Sequence, residues 1–154
     1  MARSASVLRF ELDAIRYGLL ASDVVEIVRA ATPATLPDAP PIVVGVLNVR
    51  GALVPVYDVR ARFSLEERPL ALSDAMILIR TPQGGSAAIA VDRALDLVEI
   101  DESALREAPA AGPRHVGGLA ALADGTLVIL ELATFLSDHE QRALDGALQR
   151  SRAT

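Results

Sequence analysis

A chain of 154 residues with 51% hydrophobic and 23% charged side chains has a globular composition, and its length suits one domain or two small intertwined ones. A net charge of −5, with every basic residue an Arg, argues against a nucleic-acid surface or a polybasic membrane patch. The absence of Cys and the presence of only His115 and His139 exclude disulfides, thiolate chemistry and zinc–thiolate sites, and no run approaches the roughly 18 apolar residues of a membrane span.

In chain order, Leu8-Arg9-Phe10-Glu11-Leu12 alternates in the period of two of a half-buried strand, and the runs 15–20 and 24–28 follow after short polar interruptions. Residues 32–41 contain four prolines, which fix φ and remove donors, so a loop is expected. The runs 42–49 and 53–59 flank Arg50-Gly51 as a tight hairpin, and Pro55 points to an edge or a bulge. After the polar stretch 64–74, strands are expected over 75–81, 86–91 and 94–100, with Pro82-Gln83-Gly84-Gly85 as a turn. Residues 108–114 read as another loop, and 116–123 and 126–132 as a hairpin around Asp124-Gly125. Ser137 and Glu140 form a capping-box pattern, and Leu136, Ala143, Leu144, Ala147 and Leu148 then make one apolar helical stripe. A helix docked on the body over 137–154 follows. The first nine residues lack the apolar run of a secretory leader, so a cytoplasmic protein is expected.

An internal repeat accompanies this pattern. Asp23-Val24-Val25-Glu26-Ile27 recurs 73 positions later as Asp96-Leu97-Val98-Glu99-Ile100, and the same offset carries Gly45-Val46 onto Gly118-Leu119 and Asp58-Val59 onto Glu131-Leu132. Three matches in order favour two similar small barrels, 6–63 and 75–136, with exchange of strands possible between them.

The residues offer no catalytic constellation. There is no Gly-x-Ser-x-Gly, no Gly-x-x-x-x-Gly-Lys and no Gly-x-Gly-x-x-Gly, and the carboxylates are dispersed or adjacent and solvated. His115 follows Pro113-Arg114 in a loop, and His139 lies in the first turn of the last helix. No enzyme activity, metal or cofactor is expected.

The informative positions mix polarity with apolarity. In the run from Asp23, parity places Val25 and Ile27 on one face and Val24, Glu26 and Val28 on the other. If the first face is buried, the second presents two Val beside a carboxylate, which suits a protein-binding surface. The other reading covers the strand on both sides and pairs Glu26 internally. Arg50, at a turn, can bond a partner carboxylate, bond Glu26, or stay solvated.

Gly45-Val46-Leu47-Asn48-Val49-Arg50-Gly51 followed by Val54-Pro55-Val56-Tyr57-Asp58-Val59-Arg60 closely resembles the signature of CheW-like domains. Val24-Val25-Glu26-Ile27, Leu36-Pro37, Ala90-Val91-Asp92, Gly118 and the run 127–136 are similar to further family features in the same order. The resemblance covers about 7–136 and implies a mainly all-β fold: two interlocked five-stranded SH3-like β-barrels with a C-terminal α-helix. It also implies a non-catalytic chemotaxis adaptor in the cytoplasm, recruited to membrane-associated receptor arrays. There a methyl-accepting chemoreceptor's helical-hairpin tip would dock between the barrels, and a CheA-type histidine kinase would bind at a barrel end. Val24, Glu26, Gly45, Asn48, Arg50 and Gly51 match positions associated with partner contact, Gly45 and Gly51 letting a helix approach closely. The Ala-rich run 86–90 and Glu131 depart from the family pattern in the second half. Two alternatives stay open: a scaffold for another kinase pathway (surface motility or second-messenger output), and a small barrel binding a ligand or nucleic acid. The net charge and scarcity of aromatics disfavour the last.

Overall fold

The computed structural model describes residues 4–69, 71, 73–82, 84–106, 116–122, 125–132 and 135–152. Eleven strands and two helices run in the order β1 (Ser4–Leu12), β2 (Ile15–Leu20), β3 (Val24–Arg29), β4 (Val43–Val49), β5 (Ala52–Tyr57), α1 (Val59–Arg62), β6 (Ala75–Arg80), β7 (Ser86–Val91), β8 (Arg93–Asp101), β9 (Leu105–Arg106), β10 (Val116–Leu122), β11 (Gly125–Leu130) and α2 (Asp138–Arg152). The mainly β architecture with one long C-terminal helix agrees with the sequence. No helix among the described residues is long and apolar enough to cross a membrane. The loop at 108–114, His115, Gln83 and Asp124 lie outside the described residues.

The strands form two sheets, β3-β6-β7-β5-β4 and β8-β1-β2-β11-β10-β9. The two orders are the same once β3 is matched with β8, the hairpin β6–β7 with β1–β2, β5 with β11 and β4 with β10. Each sheet has one parallel pairing at the same place, β5 with β7 and β11 with β2. Each terminal hairpin carries a bulge at the same repeat position, between Val43 and Gly45 and between Val116 and Gly118. The limits 6–63 and 75–136 do not coincide with the sheets, because hairpins are exchanged. β1–β2 pairs along β8, from Ser4 opposite Asp101 to Glu11 opposite Arg93, and β6–β7 completes the sheet of β3, β4 and β5.

Three apolar clusters explain this exchange. Val54, Val56, Met76, Leu78 and Ala88 fill the first sheet's barrel. Val7, Ile100, Ala120, Leu127 and Ile129 fill the second. A larger layer joins Leu8, Phe10, Leu12 and Leu19 of the second sheet to Ile77, Ile79, Ile89 and Tyr57 of the first. β1 therefore contributes to two layers, Val7 to the second barrel and Leu8 and Phe10 to the shared layer.

Each barrel is closed by the chain beyond its first edge strand. Ala34 and Val46 exchange both backbone hydrogen bonds at 2.8 Å, and β9 does the same work beside β10, with Arg106 opposite Leu119. This is why the second sheet counts a sixth strand of two residues. It also accounts for Pro55, which is neither at an edge nor in a bulge: it faces Val46, whose amide and carbonyl are already turned to Ala34, and pairing of β5 with β7 starts only at Val56. Pro55 therefore removes no ladder bond. The run 53–59 ends early as a strand, since the Asp58 carboxylate accepts from the Ala61 amide at 3.1 Å and caps α1.

α2 docks as its stripe predicts, with Leu144 and Ala147 buried in the shared layer and Leu136 and Leu148 packed against it. The capping box is formed: the Glu140 amide donates to Ser137 Oγ at 3.1 Å and the Ser137 amide to Glu140 Oε1 at 2.9 Å. Arg62 Nη2 donates to both Glu140 carboxylate oxygens at 2.8 Å, and the guanidinium lies over the Phe135 ring, 5.5 Å from its centroid. Ser137→Ala should lower stability by about 1 kcal/mol, read as a small fall in unfolding midpoint with an otherwise unchanged circular-dichroism spectrum.

Candidate functional site

Four of the six residues singled out by sequence meet at one end of the first barrel. Arg50 and Gly51 have φ of 51° and 85°, the two positive values of a type I′ turn, which matches strand twist. The Asn48 side chain holds that turn, its Oδ1 accepting from the Gly51 amide at 2.9 Å. Arg50 then reaches Glu26 with both ends of its fork: Nη2 donates to Oε2 at 3.0 Å, and Nη1 stands 2.7 Å from Oε1. Because β3 and β4 are the two edges of their sheet, this pair spans the seam of the rolled barrel.

The pair is nevertheless open to a partner. The Arg50 side chain is 73% exposed and that of Glu26 29%. The hydrogen bond from Arg50 holds the Glu26 carboxyl below its ordinary range despite some desolvation, so the pair stays charged through neutral pH.

Val24 and Gly45 are placed differently. A register shift between Val24 and Glu26 breaks the simple alternation: Val24 pairs with Ile79 and packs against the shared layer, whereas Glu26 pairs with Leu78 on the barrel side. Val24 and Glu26 therefore do not share a face, and the exposed apolar pair of β3 is Val25 (45%) with Ile27 (46%). Parity left open which face of this strand is covered; the bulge and the edge position leave Val25 and Ile27 uncovered. Gly45 is buried. A Cβ there would collide with the Ala34 carbonyl oxygen and lie 2.9 Å from Pro33 Cβ, so the close approach that needs glycine is internal. At Gly51 no atom stands within 4 Å of such a Cβ, and its need for glycine comes from φ alone.

The space between the sheets is occupied by the shared layer. Among the described residues, the large apolar side chains that are exposed are Val25, Ile27 and Val44 (54%) on the first barrel and Ile15, Leu20 and Leu97 (64%) on the second. In the second barrel Glu99, the repeat partner of Glu26, instead accepts from Ser4 Oγ at 3.1 Å and from Ser6 Oγ. His139 is exposed on α2.

A second polar cluster joins the ends of two motifs. Arg60, 8% exposed, donates to Asp13 at 2.8 Å and to Asp92 at 2.5 Å. Arg68 bridges Asp92 and Asp74, the latter at 2.9 Å, and the Asp13 amide donates to Asp92 at 2.9 Å. Burial pushes the Asp92 carboxyl up, but Arg60, the Asp13 amide and Arg68 outweigh it and hold it below its ordinary value. Beside this cluster lies a cavity of about 500 Å³ with Val56, Met76, Ala90 and Val91 on its wall. The cluster's signal was in the sequence, since Arg60 and Asp92 close two of the quoted motifs; what they contact was not. No group of three or more acidic, His or Cys side chains among the described residues could hold a metal ion.

Comparison with known proteins adds the family. Residues 6–140 match the model of the CheW-like domain. The chain is 23% identical to the chemotaxis protein CheW of Treponema pallidum, over 90% of this chain and 85% of that one. It is 26% identical to the chemotaxis protein CheW of Klebsiella aerogenes, over 90% and 86%. Among solved structures it is similar to the scaffolding protein TtCheW of Thermoanaerobacter tengcongensis, with a TM-score of 0.82, 26% identity, and 90% and 96% of the two chains covered.

Proposed function

Because the chain belongs to the CheW-like domain family, we propose that it is a non-catalytic chemotaxis adaptor that couples methyl-accepting chemoreceptors to a CheA-type histidine kinase. The observation that carries this reading is the charged pair Glu26–Arg50, held at the tip of a tight hairpin with its guanidinium 73% exposed, together with the exposed apolar side chains of Val25, Ile27 and Val44 on the same barrel. Apolar area supplies affinity and a forked cation supplies register, the combination that recognition of a helix requires. Relatives and a solved neighbour named for chemotaxis and scaffolding support the same reading. In it the protein works in the cytoplasm at receptor arrays, with no nucleic acid among its partners.

Arg50→Ala and Glu26→Ala should each weaken binding to the kinase or the receptor tip by about tenfold while leaving the unfolding midpoint nearly unchanged, since exposed pairs add little stability. Titration calorimetry and thermal melts on the same samples test this. A collapse of the fold with unchanged binding per folded molecule would assign the pair to closing the barrel only. The exchanged pair Glu26→Arg with Arg50→Glu separates the two roles, because it should restore the seam and leave docking impaired.

A further inference from the structure

A two-residue type I′ turn demands positive φ at both central positions, which Gly, Asn and Asp adopt readily and a long side chain resists. Here the first of the two is Arg50, with φ of 51°. The ladder of the hairpin ends below it, at Val49 opposite Ala52. Beyond that pair the loop is tied by the Gly51 amide, which donates to Asn48 Oδ1 at 2.9 Å. Asn48 is exposed, its Oδ1 is spent on this bond, and its Nδ2 makes no hydrogen bond among the described residues.

The second hairpin supplies an internal comparison. It keeps the same register, with Leu122 opposite Gly125, 73 positions after Val49 opposite Ala52. At that offset Asn48 becomes Ala121 and Arg50 becomes Ala123. The side-chain acceptor and the arginine are missing together. Glu99, the counterpart of Glu26, takes hydroxyl donors from Ser4 and Ser6 in place of a guanidinium. Register therefore holds in this chain without the side-chain tie, and what Asn48 adds at the first hairpin is the setting of Arg50.

We propose that Asn48 is a positioning residue of the docking surface: through the Gly51 amide it keeps Arg50 in the left-handed conformation that lays its fork on Glu26, and it touches no partner itself. What docks there rests on the adaptor reading; the positioning of Arg50 does not.

The two ends of the Asn48 amide separate positioning from direct contact. Asn48→Asp keeps the acceptor and removes the N–H donors, whereas Asn48→Ala removes both. The Glu26 carboxyl reports the geometry without any partner, because the hydrogen bond from Arg50 is the largest cause holding it below its ordinary range. Its titration midpoint, followed at the side-chain carboxyl carbon in the intact protein, should rise in Asn48→Ala by at least about half of the difference between wild type and Arg50→Ala. In Asn48→Asp it should stay closer to wild type than to Arg50→Ala. Binding of the kinase or the receptor tip should weaken several-fold in Asn48→Ala and by less than about twofold in Asn48→Asp, with similar melts. A Glu26 midpoint unmoved by Asn48→Ala overturns the proposal. So does a loss of binding in Asn48→Asp as large as that in Asn48→Ala with the midpoint kept, which would make the amide nitrogen a direct contact. A raised midpoint in Asn48→Ala, with neither partner binding the wild type, supports the positioning and counts against the adaptor reading.

Discussion

Arg60→Met should lower stability by about 2–3 kcal/mol, a fall of about 5–10 °C in the unfolding midpoint for a chain of this size. Removing one member of a buried ion network leaves its partners uncompensated, which is worth about 3–5 kcal/mol when they are fully enclosed. Here the effect is smaller, because the Asp13 side chain is 40% exposed and Asp92 keeps Arg68. The loss nevertheless strikes a joint: Arg60 on α1 holds both the β1–β2 turn, where Asp13 and Ala14 have φ of 50° and 64°, and the β7–β8 crossover at Asp92.

The pH dependence of that variant has a definite sign. The Asp92 carboxyl is held below its ordinary value in the folded protein. Its contribution is therefore complete above the carboxyl's unfolded value and is lost as pH falls through the folded one. The difference in midpoint between wild type and Arg60→Met should stay constant near neutrality and close in the acid range below the usual carboxylate value. A gap that widened on acidification would contradict the assigned pairing.

Gly45→Ala should be nearly as damaging, at about 2 kcal/mol. The added Cβ meets backbone, the Ala34 carbonyl oxygen, and not the flexible end of a side chain. Relief requires opening the two 2.8 Å bonds between Ala34 and Val46 that close the barrel. Gly51→Ala is the control: the space is empty, and only the positive φ resists, which costs about 1 kcal/mol. Denaturant melts of the two variants side by side should show the larger effect at Gly45; the reverse order would mean that the Pro33–Ala34 segment yields easily.

The sequence was most legible where a local rule decides the outcome. Arg50-Gly51 between two β-rich runs makes the turn it advertises, and Ser137 with Glu140 makes the capping box. The offset of 73 residues was visible because both copies keep the same bulge and the same edge strand. What was hidden depends on long-range pairing. Nothing in residues 4–20 announces that they pair with residues 93–101, since β1 reads equally well in either barrel. The face of Glu26 could not follow from parity, because a one-residue bulge at Val25 turns Val24 and Glu26 to opposite sides. Gly45 looked like a surface glycine because its neighbour in space, Ala34, sits in a proline-rich loop whose path no periodicity describes.

The adaptor role is tested most directly by using this chain as bait in a lysate of its own cells, beside its Arg50→Ala variant with an unchanged melt. Recovery of a histidine kinase together with a chemoreceptor by the wild type, and a marked loss of one or both with the variant, is the predicted result. Retrieval of neither protein, or equal retrieval by both baits, would contradict the role assigned to the exposed guanidinium at the barrel seam.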